Sequence, residues 1–350
     1  MRERIKAFII IFFILNLIGC NKNSEIVQKE FPLVQFLTPT YIRVNEIIKF
    51  DNIHLLEDYV ILRDGNVNNE YFFYVYSYPD FKFLYSFGKK GNGPEECLLP
   101  TITKSTQGNV FAFRDHASDK YMEYILTDTV PILVERYDIK PYNYTFFWEI
   151  NEIEKDSIFL LKRSNDRFNR KELWNLKEYE LLDSFPNTFN LVKTLGKNYY
   201  AVFDDFWITS SGNNFAIAYY FINLLEFGKL DNGKIWFNGK VGVDVPPNFY
   251  LFNNKSGGKY QYNVDNNIVH YESLDSDEEH VYGLYFGKPW GEMENVHSSS
   301  IEVYKWDGTP VTLLRLSESI SNFVVDGKTK KILGFNNQIN EDYIYVYSFE

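Results

Sequence analysis

Residues able to do chemistry are sparse in this chain, and their spacing excludes several reaction types. The five histidines, His54, His116, His270, His280 and His297, include no pair at i, i+4, so the two-histidine zinc helix is absent. No Gly-x-Ser-x-Gly elbow presents a nucleophilic serine. The acidic run Asp275-Ser276-Asp277-Glu278-Glu279 lacks the Gly and the distal Glu that a calcium-binding EF-hand loop requires, and it reads as a solvated loop. Two constellations are better placed to hold a ligand. Arg114-Asp115-His116 ends an apolar strand predicted to lie at the inside of the fold, where its charges would face a ligand. Asp204-Asp205-Phe206-Trp207 joins two carboxylates to an aromatic platform suited to a sugar ring or a cation, although Trp in a β-rich chain is usually core. Arg114, Asp115, His116, Asp204, Asp205 and Trp207 are therefore the candidate ligand-binding residues. No catalytic residue, metal ligand or cofactor is expected.

The N-terminus carries a different chemistry. Arg2, Arg4 and Lys6 precede an apolar run from Ala7 to Ile18, broken only by Asn16, that ends at Leu17-Ile18-Gly19-Cys20. This is a secretory signal pattern. A helix of that length spans about 18 Å, short of the roughly 30 Å hydrocarbon core. The ending resembles the bacterial lipobox, which implies cleavage before Cys20 and a diacylglycerol thioether on its sulfur. Acyl chains contribute about 0.8 kcal/mol per buried methylene, so several would hold the protein on a membrane without a spanning helix. On this reading residues 1–19 are a lipoprotein signal peptide, 20–32 a lipidated N-terminus and flexible linker, and 33–350 one folded domain. Cys97 is then the remaining thiol, expected to pack as a small hydrophobe rather than react.

The elements that must position these groups are strands. A formal net charge of −11 opposes docking on nucleic acid. Hydrophobic residues at 45%, with 27 Tyr and 31 Phe, exclude disorder and favour pleated surfaces. A unit of three short strands separated by Asp/Asn/Gly-rich turns begins at Tyr59 and returns near Asn109, Ser157, Asn213, His280 and Asn322. Six units about fifty residues apart match the blades of a propeller. Lys171–Leu182 and Phe215–Phe227 also fit helical spacing, with strand preferred for the second. The aromatic strand Asp342–Phe349 leaves the last blade one strand short, and a strand drawn from Tyr41–Phe50 is available to complete it and remove an exposed edge.

Phe87-Gly88-Lys89-Lys90-Gly91-Asn92-Gly93-Pro94-Glu95-Glu96, together with Ile301–Pro310, Ile320–Gly327 and Tyr343–Tyr347, resembles the TolB-like six-bladed propeller lipoproteins of Bacteroidetes. The resemblance implies an all-β, six-bladed β-propeller closed by pairing of its N- and C-terminal strands. It also implies a place in the cell envelope at the outer membrane. Gly88, Gly91, Gly93 and Pro94 read as a structural turn between blades, the glycines supplying positive backbone angles. The functional expectation is a monomeric, non-catalytic binding or scaffolding module for a protein, peptide or glycan partner, touching the membrane through its lipid at Cys20. The alternative is a hydrolase of the calcium-dependent lactonase type, whose channel carboxylates come from several inner strands and leave no local motif.

Overall fold

The computed structural model describes residues 29–66, 68–104, 108–138, 146–154, 158–164, 169–175, 180–185, 206–242, 251–252, 261–262 and 264–350. Six sheets of four or more strands follow one another along the chain, with a two-stranded ribbon, Leu251–Phe252 and Gln261–Tyr262, between the fourth and fifth. Each is an antiparallel meander that runs from an inner strand outward. The inner strands are Phe50–Leu55, Pro100–Thr103, Phe146–Glu154, Phe206–Ser211, Ile268–Ser276 and Asn322–Asp326, for blades 1 to 6. Lys171–Leu182 and Phe215–Phe227 resolve into strands: Asn169–Asn175 with Glu180–Phe185, and Asn214–Tyr219 with Leu224–Asp231.

A single blade cannot bury both faces, so the core lies in the seams between blades. In the seam of blades 1 and 2, Phe73 is fully buried, with its ring centre 5.2, 4.9 and 4.8 Å from those of Phe87, Phe111 and Phe113. Cys97 is fully buried in the same cluster, and desolvation pushes its thiol up to about 12. A thiol held neutral in this way is inert. The seam of blades 5 and 6 packs Tyr282, Ile301 and Leu314 against Phe323, Ile332 and Tyr347.

Closure joins the two ends of the chain. Thr40–Arg43 pairs antiparallel with Tyr343–Ser348 as the outermost strand of blade 6, with Tyr41 opposite Tyr345 and Arg43 opposite Tyr343. The closing strand is shorter than Tyr41–Phe50, because Phe50 already opens the inner strand of blade 1. A second N-terminal strand has no counterpart in the sequence reading. Leu33–Leu37 pairs parallel with Pro310–Leu316 and gives blade 5 a fifth strand. Packing begins earlier still, inside the stretch read as linker. Lys29 Nζ lies 2.9 Å from Glu302 Oε2 and 2.5 Å from the Tyr271 hydroxyl, and the Phe31 ring meets Tyr304 edge-on.

The glycine-rich connection from blade 1 to blade 2 uses its residues unequally. Gly88 has φ +68° and Gly91 φ +157°, but Gly93 is not in the positive region. It serves by proximity instead: its N–H donates to Glu96 Oε2 at 2.8 Å, and a Cβ there would stand 3.0 Å from that oxygen. The Gly93 and Pro94 carbonyls accept from Lys120 Nζ and Arg136 Nη1, each at 3.0 Å, which staples the turn to blade 2.

Candidate functional site

The inner strands end in polar residues, and at that end of the channel they meet. Lys104 leaves the inner strand of blade 2, and its Nζ pairs with Asp275 Oδ1 of blade 5. The same ammonium donates to Thr209 Oγ1 of blade 4 at 2.9 Å and to Ser276 Oγ at 3.3 Å. The other carboxylate oxygen of Asp275 accepts the Val325 N–H of blade 6 at 2.7 Å. Blade 3 joins through Glu152, whose N–H donates to the Lys104 carbonyl at 3.2 Å and whose carbonyl accepts from Ser210 Oγ at 2.8 Å. Blade 1 supplies His54, buried beside this hub with its ring edge-on to Phe111. Desolvation, and then the Lys104 charge, lower its pKa to about 4. Hydrogen bonds and one ion pair thus tie blades 2 to 6 into one knot, with His54 of blade 1 packed beside it.

Nearer the start of the blade 5 inner strand, desolvation raises Glu272 to about 7. His270 is lowered to about 4 by burial and by Lys29. Tyr220, Phe221 and Trp290 form an aromatic cluster, with ring centres 4.5 to 6.1 Å apart.

The sequence-derived candidates occupy other places. Arg114 and Asp115 lie on the second strand of blade 2, not on its inner strand. The reading placed them inside because it took blades 1 to 5 to begin one strand too late, whereas its sixth unit began on the inner strand Asn322–Asp326. Asp115 is fully buried and accepts the N–H groups of Leu98 and Leu99 at 3.2 and 2.7 Å, clamping the chain as it enters blade 2. Arg114 Nη2 pairs with Asp119 at 2.6 Å, and His116 Nε2 meets Thr101 Oγ1 at 2.8 Å. Burial, then the Arg114 charge, lower His116 to about 4. Trp207 donates its indole N–H to the Tyr271 carbonyl at 3.0 Å across the seam of blades 4 and 5. Cys20, Asp204 and Asp205 lie outside the described residues.

Just beyond Asp275 and Ser276 the surface opens into a groove of about 470 Å³, lined by Glu278, Glu279, His280, Lys305, Trp306 and Asp307. Two turns of blade 5 build it, 277–279 and 306–309. Asp277 fixes the first by accepting the N–H groups of Glu279 and His280 at 2.8 and 2.7 Å. Asp307 fixes the second by accepting the Thr309 N–H at 2.9 Å, and that bond holds its carboxyl below the usual range. Trp306 spans both, its indole N–H donating to the Glu278 carbonyl at 3.2 Å. Three carboxylates around one indole suit a cationic group, which the charges attract and the ring face accepts. Sequence reasoning missed this site because the acidic run and Trp306 stand about thirty residues apart and meet only across the blade.

The model of a family described as "TolB-like 6-blade propeller-like" matches residues 40–328. The chain belongs to this family. Among solved structures, this TolB-like chain is similar to a member of the DUF4221 family from Bacteroides vulgatus. The two are 11% identical with a TM-score of 0.58, over 89% of this chain and 96% of that one. A protein of Bacteroides fragilis described as exported is similar at 12% identity and TM-score 0.55, over 90% and 97% of the two chains. The β-propeller domain of Swd1 from Myceliophthora has 10% identity and a TM-score of 0.50, over 89% and 100%. At these identities the likeness is one of fold. No curated protein matches.

Proposed function

We propose that this TolB-like propeller is a non-catalytic binding module of the cell envelope, held at the outer membrane by a lipid on Cys20. Its groove at Trp306 takes a Lys- or Arg-bearing segment of a protein or peptide partner. The observation that carries this reading is the Lys104–Asp275 tie. An ammonium fixed in the channel places positive charge where a lactonase-type site would gather carboxylates around a dication, and the two charges would repel. Among the described residues no three His, Cys, Asp or Glu side chains converge. With the channel knotted, the molecule offers its faces, and the groove next to the knot sets three carboxylates, Glu278, Glu279 and Asp307, against the single Lys305 ammonium.

The test is a titration of the purified chain with a fluorescent Lys/Arg-rich peptide and with its Glu-rich counterpart. Saturable binding of the cationic peptide, weakened at least about tenfold in Trp306→Ala and in Asp307→Lys, is the expected result. Equal binding by the charge-reversed variant would overturn the assignment of the groove. Incorporation of labelled fatty acid, lost in Cys20→Ser, tests the anchor separately.

A further inference from the structure

The first described residues of the chain limit which side of the propeller can meet a bilayer. Lys29 is seated between the rings of Tyr271 and Tyr285, 4.8 and 4.5 Å from their centres, with its ion pair to Glu302 almost fully buried. It lies nine positions after Cys20, a reach of about 30 Å at most. A folded chain of this length has a radius of gyration of about 20 Å and hence a diameter of about 50 Å. A lipid on Cys20 therefore cannot let the blade 2 rim, opposite blade 5 in a six-membered ring, touch the same membrane.

The blade 5 rim is built for contact. Its outermost strand, Leu33–Leu37, pairs on one side only among the described residues. It leaves Leu33 49%, Val34 44% and Phe36 79% exposed, and Tyr41 on the adjoining closing strand is 49% exposed. Arg315 lies over the Phe36 ring at 5.9 Å, a cation beside an aromatic, the pairing that a headgroup–acyl boundary favours. Apolar exposure alone does not decide the matter, because blade 2 also shows Ile132 and Val134 at 50% and 45%. The tether length removes blade 2; of the edges within its reach, which include Trp236 and Phe237 of blade 4 at 56% and 42%, the strand Leu33–Leu37 follows Cys20 most closely in sequence and carries the more exposed ring, Phe36.

We propose that the strand Leu33–Leu37 is the membrane-apposed edge of the protein, with Val34 and Phe36 inserted at the interface and the ring standing edge-on to the bilayer. This rests on the lipid-anchor reading of Cys20.

The test uses full-length lipidated protein purified from membranes and reconstituted into phosphatidylethanolamine/phosphatidylglycerol vesicles. An environment-sensitive thiol dye is placed through Phe36→Cys or, as a separate protein, Val134→Cys, the buried Cys97 staying unlabelled. Spin-labelled lipid is expected to quench the dye at 36 at least about threefold more than at 134. Fatty acid present on Cys20 with equal quenching at the two positions would overturn the orientation alone. Absence of fatty acid would overturn the anchor and the orientation together. A dye at 36 already shielded in soluble Cys20→Ser protein would show that a second copy, not lipid, covers the strand.

Discussion

Lys104 of blade 2 and Asp275 of blade 5, 171 residues apart in sequence, form an ion pair across the channel from opposite sides of the ring. Removing one partner leaves the other's charge in a part-buried site, at a cost of about 2–4 kcal/mol. Lys104→Met and Asp275→Leu should each lower the urea midpoint accordingly at pH 7.5. The double variant should be less destabilised than the two losses added together. Strict additivity would show that the pair does not couple the blades.

Acid should weaken the fold through its histidines. His54, His116 and His270 are each held near pKa 4, against an ordinary 6.5. The unfolded chain therefore binds more protons between about pH 4 and 6.5, and stability falls as pH falls through that window. Glu272, raised to about 7, has the opposite sign: its contribution is present at low pH and lost as pH rises toward 7. Three histidines against one glutamate leave a net uptake of about two protons on unfolding between pH 4.5 and 6.5. Thermal melts across that range should show Tm falling toward acid, with a shallower slope in His54→Gln.

Cys97 should ignore thiol reagents in the native state. Its burial and its pKa near 12 leave neither access nor thiolate. In the Cys20→Ser protein, labelling by a disulfide reagent at pH 8 should proceed at the rate of opening, slowing or quickening with stability in the variants above. Labelling within seconds in folded protein would contradict the packing of the seam between blades 1 and 2.

Gly91 and Glu96 should be coupled. A Cβ at 91 would collide with the Glu96 carboxylate, which also receives the Gly93 N–H. Gly91→Ala should cost about 1–3 kcal/mol by clash and backbone strain. Glu96→Ala should relieve the clash, so that the pair costs less than the sum of the singles in chemical denaturation.

The strands most legible in the sequence were those with alternating aromatics, such as Tyr71–Ser77 and Tyr343–Ser348, because both their faces are buried between sheets. Of the inner strands only the apolar Asn322–Asp326 was legible as a unit's opening. Phe50–Leu55 and Pro100–Thr103 are short and interrupted by polar residues, so in the first five blades the repeat was read from the second strand. That displacement put Arg114 and Asp115 at the channel when the residue there was Lys104. Asp275 was visible only as part of an acidic run, since its partner comes from three blades away. Leu33–Leu37 went unseen because its parallel partner, Pro310–Leu316, lies at the other end of the chain.

Having Leu33–Leu37 and Thr40–Arg43 in the last two sheets fixes an order of events in biogenesis. These two early strands find their neighbours only when Pro310–Leu316 and Tyr343–Ser348, near the other end of the sequence, have followed. Until then two strands, bearing Phe36 and Tyr41, travel uncovered, so the chain should depend on holdase chaperones and become protease-resistant only when Tyr343–Ser348 has emerged.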